Sequence, residues 1–368
     1  MCSSELVSDR RHGRHHSGTF VVVDPKVAQE EELKARHRVT TASGTSGASI
    51  AYDYKPCQSI AVREVAIGGR RDCRCLARRD NLLFVGVNGG GIAVLDIADP
   101  RTAPIIATLA MPGAELVDFA LAGTTLYAAD FANGVHAIDV SDPRQPRHLG
   151  MHPALTHSQN RRVVVSGDVL VLVNDHALSI FVVTAGQFRP VALHHRLRTA
   201  VGWLRGVAFE GQRLHVTQGP MGLWTFDLAD PTRPHAICGQ EIRLDTRPNE
   251  RLIADSLAIQ GSRLFIGTSS GIWTLKLPET GAPESESFFT GPGTIRDAAR
   301  GAARDGQLYF CALEPHDHVF HIFDSTQGVR YMGRQRLSRM IDRVYDLEHG
   351  PGYWIGAAGN AGVLFASY

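Results

Sequence analysis

Charged residues are concentrated in seven short windows of the sequence, each placed just before a repeated apolar residue. The repeated residues are Leu83, Leu126, Leu170, Leu214, Leu264, Leu308 and Tyr353. Of the 35 positions that lie eight to twelve residues before them, 14 are charged, or 40%, against 20% for the whole chain. Charged groups that converge on one place must pair or bind something, because burial without a partner costs free energy. The windows therefore hold the first candidates for chemistry.

The arginines in these windows have the chemistry of an anion-binding site. A guanidinium group presents fixed pairs of N–H donors that match carboxylates, phosphates and carbonyl oxygens. The predicted ligand-binding residues are Arg74, Arg161, Arg162, Arg205, Arg300, Arg343 and the neighbouring Trp203. The predicted catalytic residues, which would act as general acids or bases, are Glu115, Asp118, Asp255, Asp297, Asp342 and Tyr345. The alternative is that arginines and carboxylates satisfy one another and bind nothing else.

Histidines and cysteines form two smaller groups. His157, His176, His316 and His318 are predicted to lie on the same face as the charged windows, where imidazoles and a carboxylate could bind a transition metal. Their spacing matches no recognised metal motif, so we favour solvated loop histidines and predict neither a metal nor a cofactor. Cys73 and Cys75 alternate along one predicted strand, and we expect them to face the same side as small core residues.

A repeat positions the charged windows. The spacings between the repeated apolar residues are 43, 44, 44, 50, 44 and 45. Each unit contains four short runs with β-strand composition, such as VDFALAG, LYAAD, VHAIDV and RHLGM. Asp-Pro turns recur at Pro100, Pro143 and Pro231, and their aspartates are predicted to cap the turns. Four strands in every unit predict a β-propeller blade, and the spacing of 50 predicts an insertion at 243–250.

These units predict an all-β fold, a seven-bladed β-propeller of four-stranded blades over residues 50–368, with six or eight blades as alternatives. The last unit ends after three strands, and KPCQSIAVREVAIGG (55–69) supplies a fourth, so that an N-terminal strand completes the C-terminal blade and closes the ring. Residues 1–49 are predicted to be a flexible extension with a short helix at 25–37. The first strand of each blade would line the central channel, and the charged windows lie where these strands begin, a face that we call the channel mouth.

The segment LYAADFANGVHAIDVSDPRQP (126–146) resembles the LVIVD-repeat family of β-propellers. The pattern returns in LLFVGVNGGGIAVLDIADPRTAP and LHVTQGPMGLWTFDLADPTRP, and the resemblance extends over about residues 55–368. It implies the propeller fold but no activity, because the repeated residues are structural. The WD40 alternative is weaker, since no Gly-His and Trp-Asp pair recurs.

Composition narrows the classes of function. The chain has 38 basic and 37 acidic residues, so no global charge favours nucleic acid or an anionic membrane. The N-terminal residues are polar, and no run approaches the roughly 18 apolar residues of a membrane span. The six cysteines show neither a Cys-x-x-Cys pair nor the density of a disulfide framework. We therefore expect a soluble, cytoplasmic protein with reduced thiols.

Three functions are compatible with these residues. The first is a propeller that binds a small polar or anionic molecule at the channel mouth, with or without a cofactor-free acid–base reaction of the isomerase, cyclase, lyase or hydrolase type. The second is a non-catalytic protein–protein interaction scaffold. The third is a metal-dependent propeller enzyme with histidine ligands. Because a site assembled from several blades leaves no linear motif, the sequence leaves open whether the protein is an enzyme.

Overall fold

All regular secondary structure in the described part of the chain is β-strand. The computed structural model describes residues 35–39, 48–52, 59–155, 159–195, 203–240, 243–244, 247–269, 271–290, 302–304, 307–314, 317–325, 329–336, 344–350 and 352–367. Within these ranges, the backbone alone is described for residues 35–39, 48–52, 59–62, 193–195, 243–244, 247–251, 290, 302–304, 307–314, 317–324, 330–336 and 367. No helix of the described residues is long and apolar enough to cross a membrane.

The described part of the chain starts with a hairpin and a single strand, which three four-stranded antiparallel sheets follow in succession. The hairpin consists of β1 (Ala35–Val39) and β2 (Ala48–Tyr52), and the single strand is β3 (Ser59–Arg63). Sheet 1 consists of β4 (Cys73–Arg79), β5 (Leu82–Val87), β6 (Gly91–Asp96) and β7 (Ile105–Ala110). Sheet 2 consists of β8 (Leu116–Ala122), β9 (Thr125–Asp130), β10 (Gly134–Asp139) and β11 (Arg147–Pro153). Sheet 3 consists of β12 (Asn160–Ser166), β13 (Val169–Asn174), β14 (Ala177–Thr184) and β15 (Gln187–His195).

The same arrangement continues toward the C-terminus. Sheet 4 consists of β16 (Leu204–Glu210), β17 (Arg213–Gln218), β18 (Leu223–Asp227) and β19 (His235–Gln240), and a hairpin of β20 (Arg243–Leu244) and β21 (Arg247–Arg251) follows it. Sheet 5 consists of β22 (Ala254–Gln260), β23 (Arg263–Thr268), β24 (Gly271–Lys276) and β25 (Glu284–Thr290). The backbone-only sheet consists of β26 (Ala302–Arg304), β27 (Gln307–Glu314), β28 (Asp317–Asp324) and β29 (Arg330–Arg336). The terminal sheet contains β30 (Asp346–Gly350), β31 (Tyr353–Ala357) and β32 (Val363–Ser367), with β3 paired to β32.

This architecture confirms an all-β propeller. Six blades are described with their side chains, namely sheets 1 to 5 and the terminal sheet, which is one fewer than the seven predicted. The first strands of neighbouring sheets contact one another in the order β30, β4, β8, β12, β16 and β22, so these strands are innermost. The predicted insertion at 243–250 is the hairpin of β20 and β21. Of the helix predicted at 25–37, residues 35–37 belong to β1, and the remaining residues lie outside the described ranges.

Apolar cores lie between neighbouring sheets. The middle strands bury both faces, because each blade packs on a neighbour at either side; β5 and β6 illustrate this with consecutive buried residues. One core joins Leu83 and Val85 of sheet 1 to Ile355 and Phe365 of the terminal sheet. Separate cores fill the spaces between sheets 1 and 2, 2 and 3, 3 and 4, and 4 and 5. A blade therefore cannot bury its apolar faces alone, which explains the repeat.

The aspartates of the Asp-Pro turns cap the turns as predicted. Asp139 Oδ1 accepts a hydrogen bond from the Ser141 backbone N–H at 2.9 Å, and Asp142 Oδ1 accepts one from Arg144 at 2.9 Å. Equivalent bonds occur in two further sheets, from Ala98 to Asp96, Arg101 to Asp99, Ala229 to Asp227 and Thr232 to Asp230. These carboxylates stabilise turns at the face opposite to the channel mouth.

A β-bulge interrupts the first strand of each of sheets 1 to 5 at the same place. The shifts in pairing register fall between Cys73 and Cys75, Leu116 and Asp118, Asn160 and Arg162, Leu204 and Val207, and Ala254 and Ser256. A bulge adds an unpaired residue and redirects the neighbouring side chains. Cys73 consequently packs in the core toward the terminal sheet and Cys75 in the core toward sheet 2. The expectation that both face one side is wrong, although both are buried core residues as expected.

Candidate anion site at the channel mouth

Three arginines occupy the bulge position in their sheets. Arg74, Arg161 and Arg205 each lie nine residues before the repeated leucine of their unit, and the same position holds Val117 in sheet 2 and Asp255 in sheet 5. Their side chains are exposed by 34%, 34% and 33%, so about a third of each remains accessible to solvent. In each of sheets 1 to 5, the bulge thus distinguishes one residue of the predicted window from its neighbours.

Arg74 is held by a carboxylate and an aromatic ring. Its Nε donates a hydrogen bond to Asp72 Oδ2 at 2.7 Å, and the same oxygen accepts a second bond from Asn88 Nδ2 at 3.2 Å. The guanidinium carbon lies 5.3 Å from the ring centre of Tyr345, which belongs to the segment before β30. The backbone N–H of Cys73 donates to the carbonyl of Gly359, in the turn between β31 and β32, so a backbone bond connects sheet 1 to the terminal sheet beside this arginine.

Arg161 repeats this arrangement in sheet 3. Its Nε donates to Asp175 Oδ1 at 2.8 Å, and its NH2 group donates to Gln159 Oε1 at 2.7 Å. The guanidinium carbon lies 5.1 Å from the ring centre of Phe131 in sheet 2. The N–H of Asn160 donates to the carbonyl of Phe131, so a backbone bond between blades sets the position of the ring.

Arg205 occupies the equivalent place in sheet 4, with a looser ion pair. Its Nε lies 3.8 Å from Asp255 Oδ1 of the next sheet, and its guanidinium carbon lies 5.6 Å from the ring centre of Trp203. Trp203 is 57% exposed, which is unusual for so large an apolar side chain. The predicted association of Trp203 with Arg205 is present in the structure.

The three sites share one design. A carboxylate engages the Nε side of each guanidinium and an aromatic ring covers one of its faces, so that rotation of a long flexible side chain is restricted. A guanidinium oriented in advance loses less conformational entropy when a ligand binds. The arrangement can therefore present donors to an anionic group, with carboxylate oxygens nearby to accept hydrogen bonds from hydroxyl groups of the same ligand.

Asp118 and Arg162 lie behind the bulge, between two blades. The Asp118 carboxylate is fully buried; its Oδ2 accepts a hydrogen bond from the Val163 N–H at 2.8 Å, and its Oδ1 lies 3.6 Å from a terminal nitrogen of Arg162. Asp346 of the terminal sheet likewise accepts a hydrogen bond from the Leu76 backbone N–H of sheet 1, at 2.9 Å. These carboxylates connect the first strands of adjacent sheets, so the geometry gives Asp118 a structural role.

The other predicted residues fall in different places. Asp255 is 8% exposed and belongs to the pair with Arg205, Glu115 is exposed just before β8, and Tyr345 is half-buried beneath Arg74. His176 is exposed in the turn between β13 and β14, where its N–H donates to Asn174 Oδ1. His318 belongs to β28, which is described by its backbone alone. The predicted residues that lie outside the described ranges are His157, Asp297, Arg300, His316, Asp342 and Arg343.

Two residues that contact the arginines were not predicted from the sequence. Phe131 and Asp175 both lie five residues after the repeated leucine of their unit, at the end of the second strand, and Asn88 occupies the same position in sheet 1. The pairing of the first two strands in a blade places this position beside the bulge. A comparison of units at that offset would have found these residues, whereas a search restricted to the first strand could not.

No group of three or more His, Cys, Asp or Glu side chains is arranged to hold a metal ion within the described part of the chain. Burial, with a smaller contribution from Asp72, raises the pKa of the Cys73 thiol to about 12, so this buried group stays protonated. The described cysteines Cys73, Cys75 and Cys238 form no disulfide bond.

Comparisons with known proteins agree on the fold. Residues 117–151 match the family model of the LVIVD repeat. No curated protein matches the sequence.

Three solved structures are similar to this chain. A candidate 6-phosphogluconolactonase from Bacteroides uniformis ATCC 8492 has a TM-score of 0.63 at 17% identity, over 78% of this chain and 92% of that chain. Sqt1 from Saccharomyces cerevisiae has a TM-score of 0.56 at 9% identity, over 80% and 95%. The computationally designed protein Ika8 has a TM-score of 0.54 at 12% identity, over 84% and 100%. At these identities the likeness concerns the fold alone, and the chain is an all-β propeller that carries an LVIVD repeat.

Proposed function

We propose that the protein binds a small polar anion at the channel mouth through Arg74, Arg161 and Arg205. The observation that carries the proposal is the recurrence, at equivalent positions of three sheets, of a one-third-exposed arginine held by a carboxylate and an aromatic ring. A guanidinium needed only for stability could be buried completely, as Arg162 nearly is at 18% side-chain exposure.

The carboxylates beside the arginines define the ligand further. Asp72, Asp175 and Asp255 balance the three positive charges, so a net positive field does not supply the attraction. Binding depends instead on directed hydrogen bonds, which favour a ligand with an anionic group and several hydroxyl groups. The sugar-phosphate lactone named for the B. uniformis protein leads to an acid of this class, which makes 6-phosphogluconate a suitable probe.

A reaction is a weaker proposal than binding. Asp118 and Asp255 are engaged in ion pairs, and their low exposure disfavours proton exchange with a substrate. Glu115 and Tyr345 are the described residues with the access that general acid or base catalysis would need. We therefore assign Glu115 and Tyr345 as the residues to change first if turnover of a bound anion is found.

We also propose that the sheets form one ring of seven blades, with the backbone-only sheet as the sixth and the terminal sheet as the seventh. The pairing of β3 with β32, the contacts of β26 with both β22 and β30, and the bond from Cys73 to Gly359 support this proposal. A cytoplasmic location is likewise proposed, and the described cysteines, which form no disulfide bond, support it.

Calorimetric titration of the purified protein with citrate, inorganic phosphate and 6-phosphogluconate tests the binding proposal. The double variant Arg161→Gln/Arg205→Gln removes two of the three donors, and we expect its affinity for the best ligand to fall by roughly 10- to 100-fold for each charged hydrogen bond lost. Arg101→Gln/Arg144→Gln is the matched control, since it removes the same charge from exposed turns at the opposite face. Equal thermal stability of both variants shows that folding is retained.

Two results would contradict the proposal. Binding that is unchanged in Arg161→Gln/Arg205→Gln would place the ligand elsewhere. Failure of the wild-type protein to bind any of the three anions would favour the non-catalytic interaction scaffold.

A further inference from the structure

Sheet 2 contains a row of hydrogen-bonded groups that the channel mouth does not use. His136 Nε2 lies 3.3 Å from Asp130 Oδ2, and His136 Nδ1 lies 3.0 Å from His148 Nε2. Asp130 and His136 are buried, at 1% and 8% exposure, whereas His148 lies on the outer strand β11 and is exposed. The row therefore leads from the interior of the blade to its surface.

The surroundings of Asp130 determine which nitrogen of His136 carries a proton. Asp130 Oδ1 accepts bonds from the Ala132 N–H and from both nitrogens of Asn133, at 3.1 to 3.2 Å. With these donors on Oδ1, the Asp130 carboxylate accepts a hydrogen bond from His136 Nε2 through Oδ2, so the Nδ1 lone pair points toward His148.

Met151 lies on the same face as the two imidazoles. In the pairing of β10 with β11, Met151 is directly opposite His136, and a bulge at Leu149 brings His148 opposite Ile138, the next residue on that face. Directly opposite side chains in an antiparallel pair are neighbours, with Cβ atoms about 4.5 to 5.5 Å apart. Met151 is 44% exposed, so its thioether is accessible.

We propose that His136 Nδ1, His148 Nε2 and the Met151 thioether form a binding site for Cu(I). Thioether and imidazole ligands in a low-coordinate site suit this soft ion, whereas zinc takes four nitrogen, sulfur or carboxylate ligands. Two nitrogens that bind one three-coordinate metal at about 2.0 Å lie roughly 3.5 Å apart, so the imidazoles need to separate by about 0.5 Å. Asp130 would orient His136 from behind, as carboxylates do for metal-bound histidines.

Binding of Cu(I) at this site needs neither a redox step nor the release of a proton. Because His136 carries its proton on Nε2, His148 Nε2 donates the 3.0 Å hydrogen bond between the two imidazoles in the metal-free protein. When Cu(I) takes the Nε2 lone pair, the proton moves to Nδ1 of the same imidazole. Copper remains Cu(I), and no proton is released.

Anaerobic titration with Cu(I) against a colorimetric chelator tests the site. His148→Gln retains an N–H donor for His136 but no imidazole, and we expect it to bind one equivalent of Cu(I) fewer than the wild-type protein. His152→Gln is the matched control on the same strand, because the His152 ring packs on Phe181 at 5.0 Å between centres and lies outside the site. Its stoichiometry should equal that of the wild-type protein, which also accounts for copper bound by other histidines.

Two further measurements identify the ligands. X-ray absorption should show one sulfur neighbour of the copper that disappears in Met151→Leu, and Asp130→Asn should weaken binding by about 10- to 100-fold. The proposal is overturned if His148→Gln binds as many equivalents of Cu(I) as the wild-type protein. It is also overturned if the absorption spectra of the wild-type protein and Met151→Leu are identical.

Discussion

A single buried histidine makes the stability of sheet 4 sensitive to pH. His215 is fully buried, with Nδ1 3.0 Å from Thr225 Oγ1 and Nε2 3.4 Å from Glu210 Oε2. Burial lowers the pKa of His215 to about 4, and the attraction of Glu210 offsets this only in part. The folded protein therefore keeps this imidazole neutral at pH values where an unfolded chain, with a histidine pKa near 6.5, already binds a proton.

We predict that the wild-type protein loses stability between pH 6.5 and pH 4, in the window set by these two pKa values. Below pH 6.5 the unfolded state takes up the proton first, so folding becomes less favourable as the pH falls, by about 3 kcal/mol at most. His215→Gln should flatten this dependence. Urea unfolding at pH 7 and pH 4.5 measures it, and His235→Gln, an exposed site on β19, should behave as wild type. Parallel losses in wild type and His215→Gln would contradict the assignment.

Individual residues show where sequence reasoning ends. The charge windows contain Arg74, Arg161 and Arg205, but they list them together with Arg162, Arg300 and Arg343 and do not set the three apart. The sequence could not distinguish Arg161 from Arg162, because reasoning from strict strand alternation does not show where a bulge redirects the side chains. In the structure, the Arg161 side chain lies at the channel mouth and the Arg162 side chain lies between two blades. The one inserted residue of the bulge therefore decides which of the two arginines lies at the channel mouth.

At the level of strands, Asp118 connects β8 to β12. Removal of its carboxylate would leave the Val163 N–H and the Arg162 guanidinium without a buried partner. We predict that Asp118→Ala lowers the free energy of unfolding by about 3 to 5 kcal/mol, as expected when one partner of a buried ion pair is removed. Urea denaturation measures the change, and Glu115→Ala, an exposed carboxylate three residues earlier, should change stability by no more than about 0.5 kcal/mol. A change in Asp118→Ala as small as that in Glu115→Ala would show that the connection is dispensable.

The backbone at the first residue of β10, the third strand of sheet 2, leaves room only for glycine. Gly134 has φ = +142°, and a Cβ atom there would overlap the carbonyl oxygen of His152 on the neighbouring strand. We predict that Gly134→Ala destabilises the protein by about 2 kcal/mol or more in thermal unfolding, because both backbone strain and a backbone clash oppose it. Gly123→Asn is the control, since Gly123 has φ = +56° with open space around it, a conformation that asparagine tolerates. Tolerance of both substitutions would mean that β10 and β11 can separate there.

At the scale of the whole molecule, the repeat arithmetic predicted a propeller of four-stranded blades and the insertion that forms β20 and β21, but it counted one blade more than the six that are described with their side chains. It also predicted the pairing of an N-terminal segment with the last strand, and β3 pairs with β32. The repeat could not predict the connections between blades, because Asp118, Asp346 and the backbone bonds at the mouth depend on register across sheets.

Deletion of residues 1–63 tests the role of β3 in the ring. We predict a lower melting temperature and a loss of cooperativity, because the edge of β32 and the core that contains Phe365 would be exposed. Deletion of residues 1–34, which leaves β1 to β3 intact, is the control and should melt as the full chain does. If both deletions melt alike, β3 does not close the structure.

Anomalous diffraction from a crystal soaked in selenate, an anion that mimics sulfate and phosphate, tests the binding claim most directly. We predict a selenium peak at the channel mouth, with its oxygens about 2.7 to 3.2 Å from guanidinium nitrogens of at least two of Arg74, Arg161 and Arg205. The peak should be absent from the Arg161→Gln/Arg205→Gln variant. Selenium sites that lie only elsewhere on the wild-type protein, with an empty channel mouth, would contradict the account.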